Sequence, residues 1–338
     1  MPTLINESTI DSYLTYFLDI QKEGDGMLTA KIEVSELKEM ILSSVSSVSS
    51  KKEIIDRLNV FPVPDGDTGR NLSLTLSVIG DKLEEKSYQS MDELANDLEE
   101  SALMGATGNV GMLLAQFFGG FCSVIRGNGG VTPELLVKGM MEGSRSAYHA
   151  FTDPKEGTAL TVLREMASGA SESLEENKNP VEVLKDAWLN GKQALRKTRD
   201  MLPELRRAGV VDAGGLGVLC MVEGWLKALG EQPDQEDFSQ AKPAYPKSSI
   251  NFRYCTECLL KSRADSNGIK EAMRGKGDCL LVAGEKGFVK VHLHTNDPSD
   301  VITTCKQWGK LKKVKIDDMK KMHQELLFKD DLNGQDFC

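Results

Sequence analysis

From residue 31 to about residue 230, apolar positions recur three and four residues apart, the spacing of helix faces. The run after Asn179 and Pro180 passes through Leu184, Trp188, Ala194 and Leu195, with a proline in the first turn to start it. Residues 133–148 and 216–229 repeat the pattern, and two-residue alternation is scarce, so this stretch predicts an all-α domain. Between 231 and 248 the apolar period gives way to Pro, Gln, Asp, Lys and Ser, the composition of a linker. Beyond it the period falls to two. Over residues 288–294, Val289, Val291 and Leu293 share one face. Strand patterns at 251–260, 279–283 and 314–316, with helical patterns at 268–274 and 297–308, give the order β-α-β-β-α-β of a ferredoxin-like α+β unit. The expected architecture is multi-domain: an N-terminal extension (1–30) with a short amphipathic helix over 10–20, a helical domain (31–230), the linker (231–248), a smaller α+β domain (249–327) and a polar tail (328–338).

A length of 338 residues with 40% hydrophobic positions suffices for two packed cores. The net charge of −10 excludes a nucleic-acid binder that relies on a broad basic surface. Residues 101–125 carry no charge, but their glycines together with Asn109 and Gln116 fit a buried helix entered from a glycine-rich loop, not a membrane span. The first residues lack a basic segment followed by an apolar one, and the seven cysteines are scattered. The expectation is a cytoplasmic protein whose cysteines are reduced thiols or ligands.

Three segments carry candidate chemistry. At residues 58–76, Asp65 and Asp67 flank Gly66, and Pro62 and Pro64 stiffen the approach. Two converging carboxylates suit Mg²⁺, which takes one or two protein carboxylates and fills its shell with water and phosphate oxygens. The other reading is a polar loop with Asp-Gly turn chemistry, and spacing alone does not choose. At 105–111, Gly-Ala-Thr-Gly-Asn-Val-Gly precedes an apolar run. Such a loop either presents helix N-terminal amides to phosphate or allows a close helix–helix contact. Neither a P-loop nor a protein-kinase catalytic loop occurs. In the second domain His292 and His294 share a strand face, and Cys255 and Cys258 lie on the preceding strand. These are either a zinc set or solvent-facing histidines with buried cysteines. On an extended segment the two cysteines point to opposite faces, so both do not reach one ion. His149 and His323 read as surface or core residues, and the lysines at 310–315 as a solvated face.

The order Pro-Asp-Gly-Asp-Thr-Gly-Xaa-Asn at 64–71 resembles the metal-binding loop of the dihydroxyacetone kinase L-subunit (DhaL) family. Residues 58–69 are closer still to the bacterial fatty acid kinase A branch. The segments 105–111, 154–164 and 210–215 resemble further motifs of that family in the same order, and Tyr-Cys-Thr-Glu at 254–257 and Val-His-Leu-His-Thr-Asn-Asp-Pro at 291–298 resemble its middle domain. The resemblance covers roughly residues 32–327 and implies a DhaL-like helical barrel or bundle. It implies that Asp65 and Asp67 hold Mg²⁺ against the ATP phosphates, with Thr68 and Asn71 beside the nucleotide. Gly105, Gly108, Asn109 and Gly111 would form the nucleotide loop, with Asp212 and Gly214 nearby. Cys255, His292 and His294 would bind Zn²⁺, in a structural role, because the phosphate chemistry sits on the other domain.

The chain departs from the family pattern in three places. Val60 stands where other L-subunits carry a further aspartate, with Asn59 the nearest polar residue, Thr107 replaces an arginine, and Val110 replaces a serine whose hydroxyl lies near the phosphates. The resemblance implies an ATP-dependent kinase component that passes the γ-phosphoryl group to a substrate held by a partner, foremost a fatty acid carboxylate on a DegV-type carrier. A carboxylate acceptor is already ionised at neutral pH and needs no base. The alternatives are a dihydroxyacetone-type kinase subunit, or a nucleotide-binding regulatory or scaffold subunit; a homodimer is compatible with each. Fatty acid kinase A proteins carry a further C-terminal domain that contacts the lipid carrier, and this sequence stops after the middle domain.

Overall fold

The apolar period of the first domain becomes helices throughout. The computed structural model describes residues 31–174, 179–234, 238 and 250–333. The extension with its helix at 10–20, most of the linker and residues 334–338 lie outside the described residues. The chain runs α1 (Val34–Ser50), α2 (Lys52–Arg57), α3 (Thr68–Glu84), α4 (Met91–Gly105), α5 (Gly108–Ile125), α6 (Pro133–Ala150), α7 (Ala159–Leu174), α8 (Pro180–Met201), α9 (Pro203–Ala208) and α10 (Ala213–Ala228). Caps start several of them. The Asn179 side chain accepts the amides of Val181 and Glu182, and the Glu182 side chain returns the bond to the Asn179 amide, closing a capping box on α8. Thr132 caps α6, and Asp212 caps α10.

The uncharged stretch is α5. By length and composition it is the one helix among the described residues able to cross a membrane, but it packs as a core helix. Phe117 and Phe121 of α5 stack 6.1 Å apart, and the Trp225 ring of α10 lies 5.9 Å from that of Phe121. Glycines on α6 permit the close approach: a Cβ at Gly143 would stand 2.7 Å from the Phe117 ring.

The second domain is β1 (Tyr254–Lys261), α11 (Ser266–Met273), β2 (Asp278–Glu285), β3 (Phe288–Thr295), α12 (Pro298–Trp308), β4 (Lys310–Asp318) and α13 (Met319–Asn333). The antiparallel sheet has the order β2-β3-β1-β4. Its β-α-β-β-α-β run matches the expected order. One face carries Cys258, Leu260, Val289, Val291 and Leu293, packed against Ile269 and Met273 of α11 and Val301 and Cys305 of α12. The other face presents Cys255, Glu257, Lys290, His292 and His294, all buried. Their partners lie on the helical domain. Glu257 and Lys290 bond the loop before α5, and nearby Thr152 Oγ1 donates to Leu280 O at 3.1 Å.

Residues 328–333 of the expected polar tail continue α13 to Asn333. The helix lacks an apolar stripe, so periodicity did not reveal it. The Asp318 carboxylate takes the Lys321 amide at 3.1 Å at its start, and His323 and Leu326 contact the aspartate turn. The lysines of β4 are not uniformly solvated either: Lys315 turns inward and pairs with Asp317 at 2.5 Å.

Candidate active site

Asn59 braces the turn that carries the two aspartates. Its side-chain amide donates to Val63 O at 3.0 Å, and its carbonyl oxygen accepts the Asp67 amide at 3.0 Å. The Phe61–Pro62 bond between them is cis. Gly66 reverses the chain with φ +69°, a conformation costly for any residue with a Cβ. Asp67 stands at the N-cap of α3, placing Thr68 in the first turn, and Asn71 donates its amide to Asp67 O at 2.8 Å. Burial and the neighbouring charge of Asp67 push the Asp65 carboxyl well above the ordinary carboxylate range. Burial also raises Asp67, and the opposing charges of Arg70 and Lys315 only partly offset it. Two carboxylates that repel each other without a cation are a site suited to one. The buried Asn71 Oδ1 has no hydrogen-bond partner and adds a third oxygen of the kind Mg²⁺ takes.

The glycine loop divides its roles. Gly108 and Asn109 line a cavity of about 510 Å³ together with Asp65, Asp67, Thr68 and Asn71. Asp212 and Gly214 line it from the start of α10. Gly105 and Gly111 stand off the cavity, against α3: a Cβ at Gly105 would lie 2.7 Å from Val78, and one at Gly111 would lie 2.5 Å from Thr75 Oγ1. The backbone donors are also partly committed. The Gly108 amide donates to Glu257 Oε1 at 2.6 Å, and the Gly111 amide makes the first helical bond to Thr107 O at 3.1 Å. Asn109 and Val110 supply the remaining first-turn amides of α5. The Asn109 Oδ1 is a second buried, unpartnered oxygen in the wall. Asp212 accepts the Gly215 amide at 2.7 Å, and burial outweighs that bond, lifting its carboxyl to about 7.

Cys255, His292 and His294 line the same cavity from the sheet. The Cys–His set and the aspartates lie on different domains, as expected, but both line one chamber, which the separation of domains did not foretell. One ligand atom from each of the three residues lies within 4.8 Å of the others. Cross-strand register produces this, because Cys255 sits opposite His294 and Glu257 opposite His292. Cys258 pairs with Val291 on the other face, in the apolar core. A carboxylate stands at Nδ1 of each imidazole. Glu257 Oε1 is 3.2 Å from His292 Nδ1, and Asp278 Oδ1 is 3.2 Å from His294 Nδ1, the second pair without hydrogen-bond geometry. His292 Nε2 is buried and unpartnered. Burial holds this histidine below its ordinary range despite Glu257. Nδ1 faces both Glu257 Oε1 at 3.2 Å and Cys255 Sγ at 3.8 Å, and a proton placed on Nδ1 toward Glu257 would leave the lone pair on Nε2. Ligating histidines are oriented in this way, and a thiol plus two imidazoles is a zinc-type donor set. Burial, then the charge of Glu257, raises the Cys255 thiol well above its ordinary value, so ionising it calls for a cation.

Motif reading gave no site role to Glu257, Asp278, Lys290 or His323, although His323 was read as a surface or core residue and is buried. Glu257 was within reach, since it lies two residues from Cys255 and so on the same strand face. Lys290 shares the face of His292 by the same rule. Asp278 depends on a register shift in β2, and His323 on the packing of α13, neither of which a periodicity shows.

Comparisons with known proteins place two domains in succession. Residues 62–227 match the DAK2 domain, and residues 251–326 match the FakA-like (fatty acid kinase A-like) middle domain. An uncharacterized protein of Staphylococcus haemolyticus is 34% identical across 90% of this chain and 58% of that protein. One of Staphylococcus aureus (strain USA300) is 33% identical, also across 90% of this chain and 58% of its own length. The chain thus spans 58% of the length of these relatives. Among solved structures, the dihydroxyacetone kinase from C. freundii in complex with AMP-PNP and Mg²⁺ aligns with 15% identity and a TM-score of 0.45, covering 61% of this chain and 36% of that one.

Proposed function

We infer, for a chain that carries a DAK2 domain followed by a FakA-like middle domain, that it is the nucleotide-binding component of a partner-dependent kinase. The observation that carries this reading is the convergence of Asp65, Asp67 and the N-terminus of α5 on one cavity. Asp65 and Asp67, with Asn71, would hold Mg²⁺, which when bound would supply charge neutralisation for a nucleotide's phosphates. The first-turn amides of Asn109 and Val110 face the phosphates with the positive end of a long helix. Arg70, 3.5 Å from Asp67, balances the charge of the turn. Positioning and charge neutralisation supply most of the barrier reduction in phosphoryl transfer, so the absence of a P-loop lysine is no obstacle.

The acceptor is a fatty acid carboxylate carried by a DegV-type partner, already ionised and in need of no base. Phe61, Val63, Leu113, Phe151 and Leu280 give the cavity apolar walls, which suit an acceptor with an aliphatic end. Cys255, His292 and His294 would hold Zn²⁺ at the sheet wall. When bound there the ion supplies a Lewis acid beside the phosphate site. Glu257 fixes the His292 tautomer, and the sheet keeps water from that side of the cavity.

The test is transfer from γ-labelled ATP in the presence of fatty acid and purified carrier. Label on the acyl carboxylate, lost by more than about 10²-fold in Asp65→Ala and Asp67→Ala, supports the reading. Transfer that survives both substitutions refutes it. Nucleotide binding without carrier-dependent transfer assigns the regulatory alternative, to which Val110 in place of a hydroxyl-bearing residue would then belong, and label on dihydroxyacetone assigns the other.

A further inference from the structure

One oxygen, Glu257 Oε1, serves two partners on two domains. It accepts the Gly108 amide at 2.6 Å and stands 3.2 Å from His292 Nδ1. Glu257 is 4% exposed and His292 1%, so neither partner exchanges freely with water. Two strand positions away across the sheet, the Lys290 ammonium, 6% exposed, donates to Ala106 O. A carboxylate and an ammonium from one sheet face thus grip the backbone on both sides of Thr107. Buried charges are tolerated only with partners, and here the partners are main-chain groups of the loop that opens α5. A carboxylate at a helix N-terminus is favourable, and it occupies an amide that phosphate would otherwise use.

We propose that Glu257 is a positioning residue that couples the Cys255–His292–His294 cluster to the glycine loop, so that a cation at the cluster and nucleotide at the loop alter each other's affinity. This rests on the nucleotide and zinc readings above and adds the link between them. With a cation at the cluster, a proton on His292 Nδ1 would become a stronger donor to Oε1. That oxygen would then hold the Gly108 amide less tightly, and the first turn of α5 would shift with it. Coupling between binding sites is reciprocal, and typical values are about 5- to 150-fold.

The experiment measures Zn²⁺ affinity by chelator competition, with and without a non-hydrolysable ATP analogue and Mg²⁺, and the analogue's affinity with and without Zn²⁺. The same factor of about fivefold or more is expected from both directions. In Glu257→Ala it falls to within about twofold of unity while both ligands still bind. Glu257→Gln keeps an oxygen for the amide and removes the charge, and it lowers the factor with the fold intact. A wild-type factor of one, or a factor unchanged in Glu257→Gln, overturns the proposal. Failure of the analogue to bind the wild-type chain would instead count against the nucleotide reading. Hydrogen exchange then decides the link by itself: Zn²⁺ alone changes the exchange rate of the Gly108 amide in the wild type and not in Glu257→Ala, and an unchanged rate in the wild type overturns it.

Discussion

His323 donates from Nδ1 to the carbonyl of Pro64 at 2.6 Å, the residue immediately before Asp65. The imidazole is buried, at 5% exposed, and belongs to α13, at the far end of the second domain. Three residues on, Leu326 lies 3.0 Å from where a Cβ of Gly66 would stand. The helix therefore seats on the aspartate turn. His323→Ala is expected to cost about 1–3 kcal/mol by removing the partner of a buried carbonyl. The loosened turn weakens Mg²⁺ binding. Urea unfolding with and without Mg²⁺ checks both effects.

Asp65→Asn removes a buried carboxylate whose own burial and whose neighbour Asp67 disfavour its charge. Without metal the variant is expected to be more stable than the wild type, by about 1–3 °C in thermal midpoint. Mg²⁺, which raises the wild-type midpoint by mass action, raises that of the variant less or not at all. Paired melts in chelator and in Mg²⁺ measure this exchange of stability for function.

Burial lifts the Asp212 carboxyl to about 7, above its unfolded value of 3.8. Between those values the folded chain keeps a proton that the unfolded chain has released. Stability from this residue is full below pH 3.8 and is lost as pH rises toward 7, with a slope of up to about 1.4 kcal/mol per unit. Asp212→Asn retains an oxygen for the Gly215 amide and removes the titration. The expected result is a shallower fall of urea stability between about pH 4 and pH 7.

Cys255→Ser and Cys258→Ser separate the two faces of the sheet. Cys255 shares the cavity with both histidines, and Cys258 lies in the apolar core beneath α12. Zinc content after loading and dialysis is expected to collapse in the first variant and to persist in the second. Cys258→Ser instead loses about 1–3 kcal/mol of stability, the cost of a hydroxyl in an apolar site. Zinc retained by Cys255→Ser removes that residue from the donor set.

Local patterns made the helices, the strand order and the aspartate turn legible, because caps, period and turn residues act over a few positions. Asn179-Pro180 starts α8 where its composition says it should. The strand faces were equally readable, and Cys255 and Cys258 divide between them as alternation requires. Contacts between distant segments were not readable. The pairing of Glu257 with the Gly108 amide spans 149 positions, and that of His323 with Pro64 spans 259. Each is decided by how the sheet and α13 dock, and no repeat or spacing encodes docking. The same blindness hid that the Cys–His cluster, on its own domain, faces the aspartates across one cavity.

The chamber's two walls come from different stretches of chain, so the halves of its chemistry are heritable apart. The proline-stiffened aspartate turn carries its own asparagine brace and takes only the seat of α13 from the second domain. The inward row of the sheet is exchanged by substitutions at alternate positions of three strands. A substitution on the sheet face alters what stands beside the aspartates without changing a residue of the turn itself.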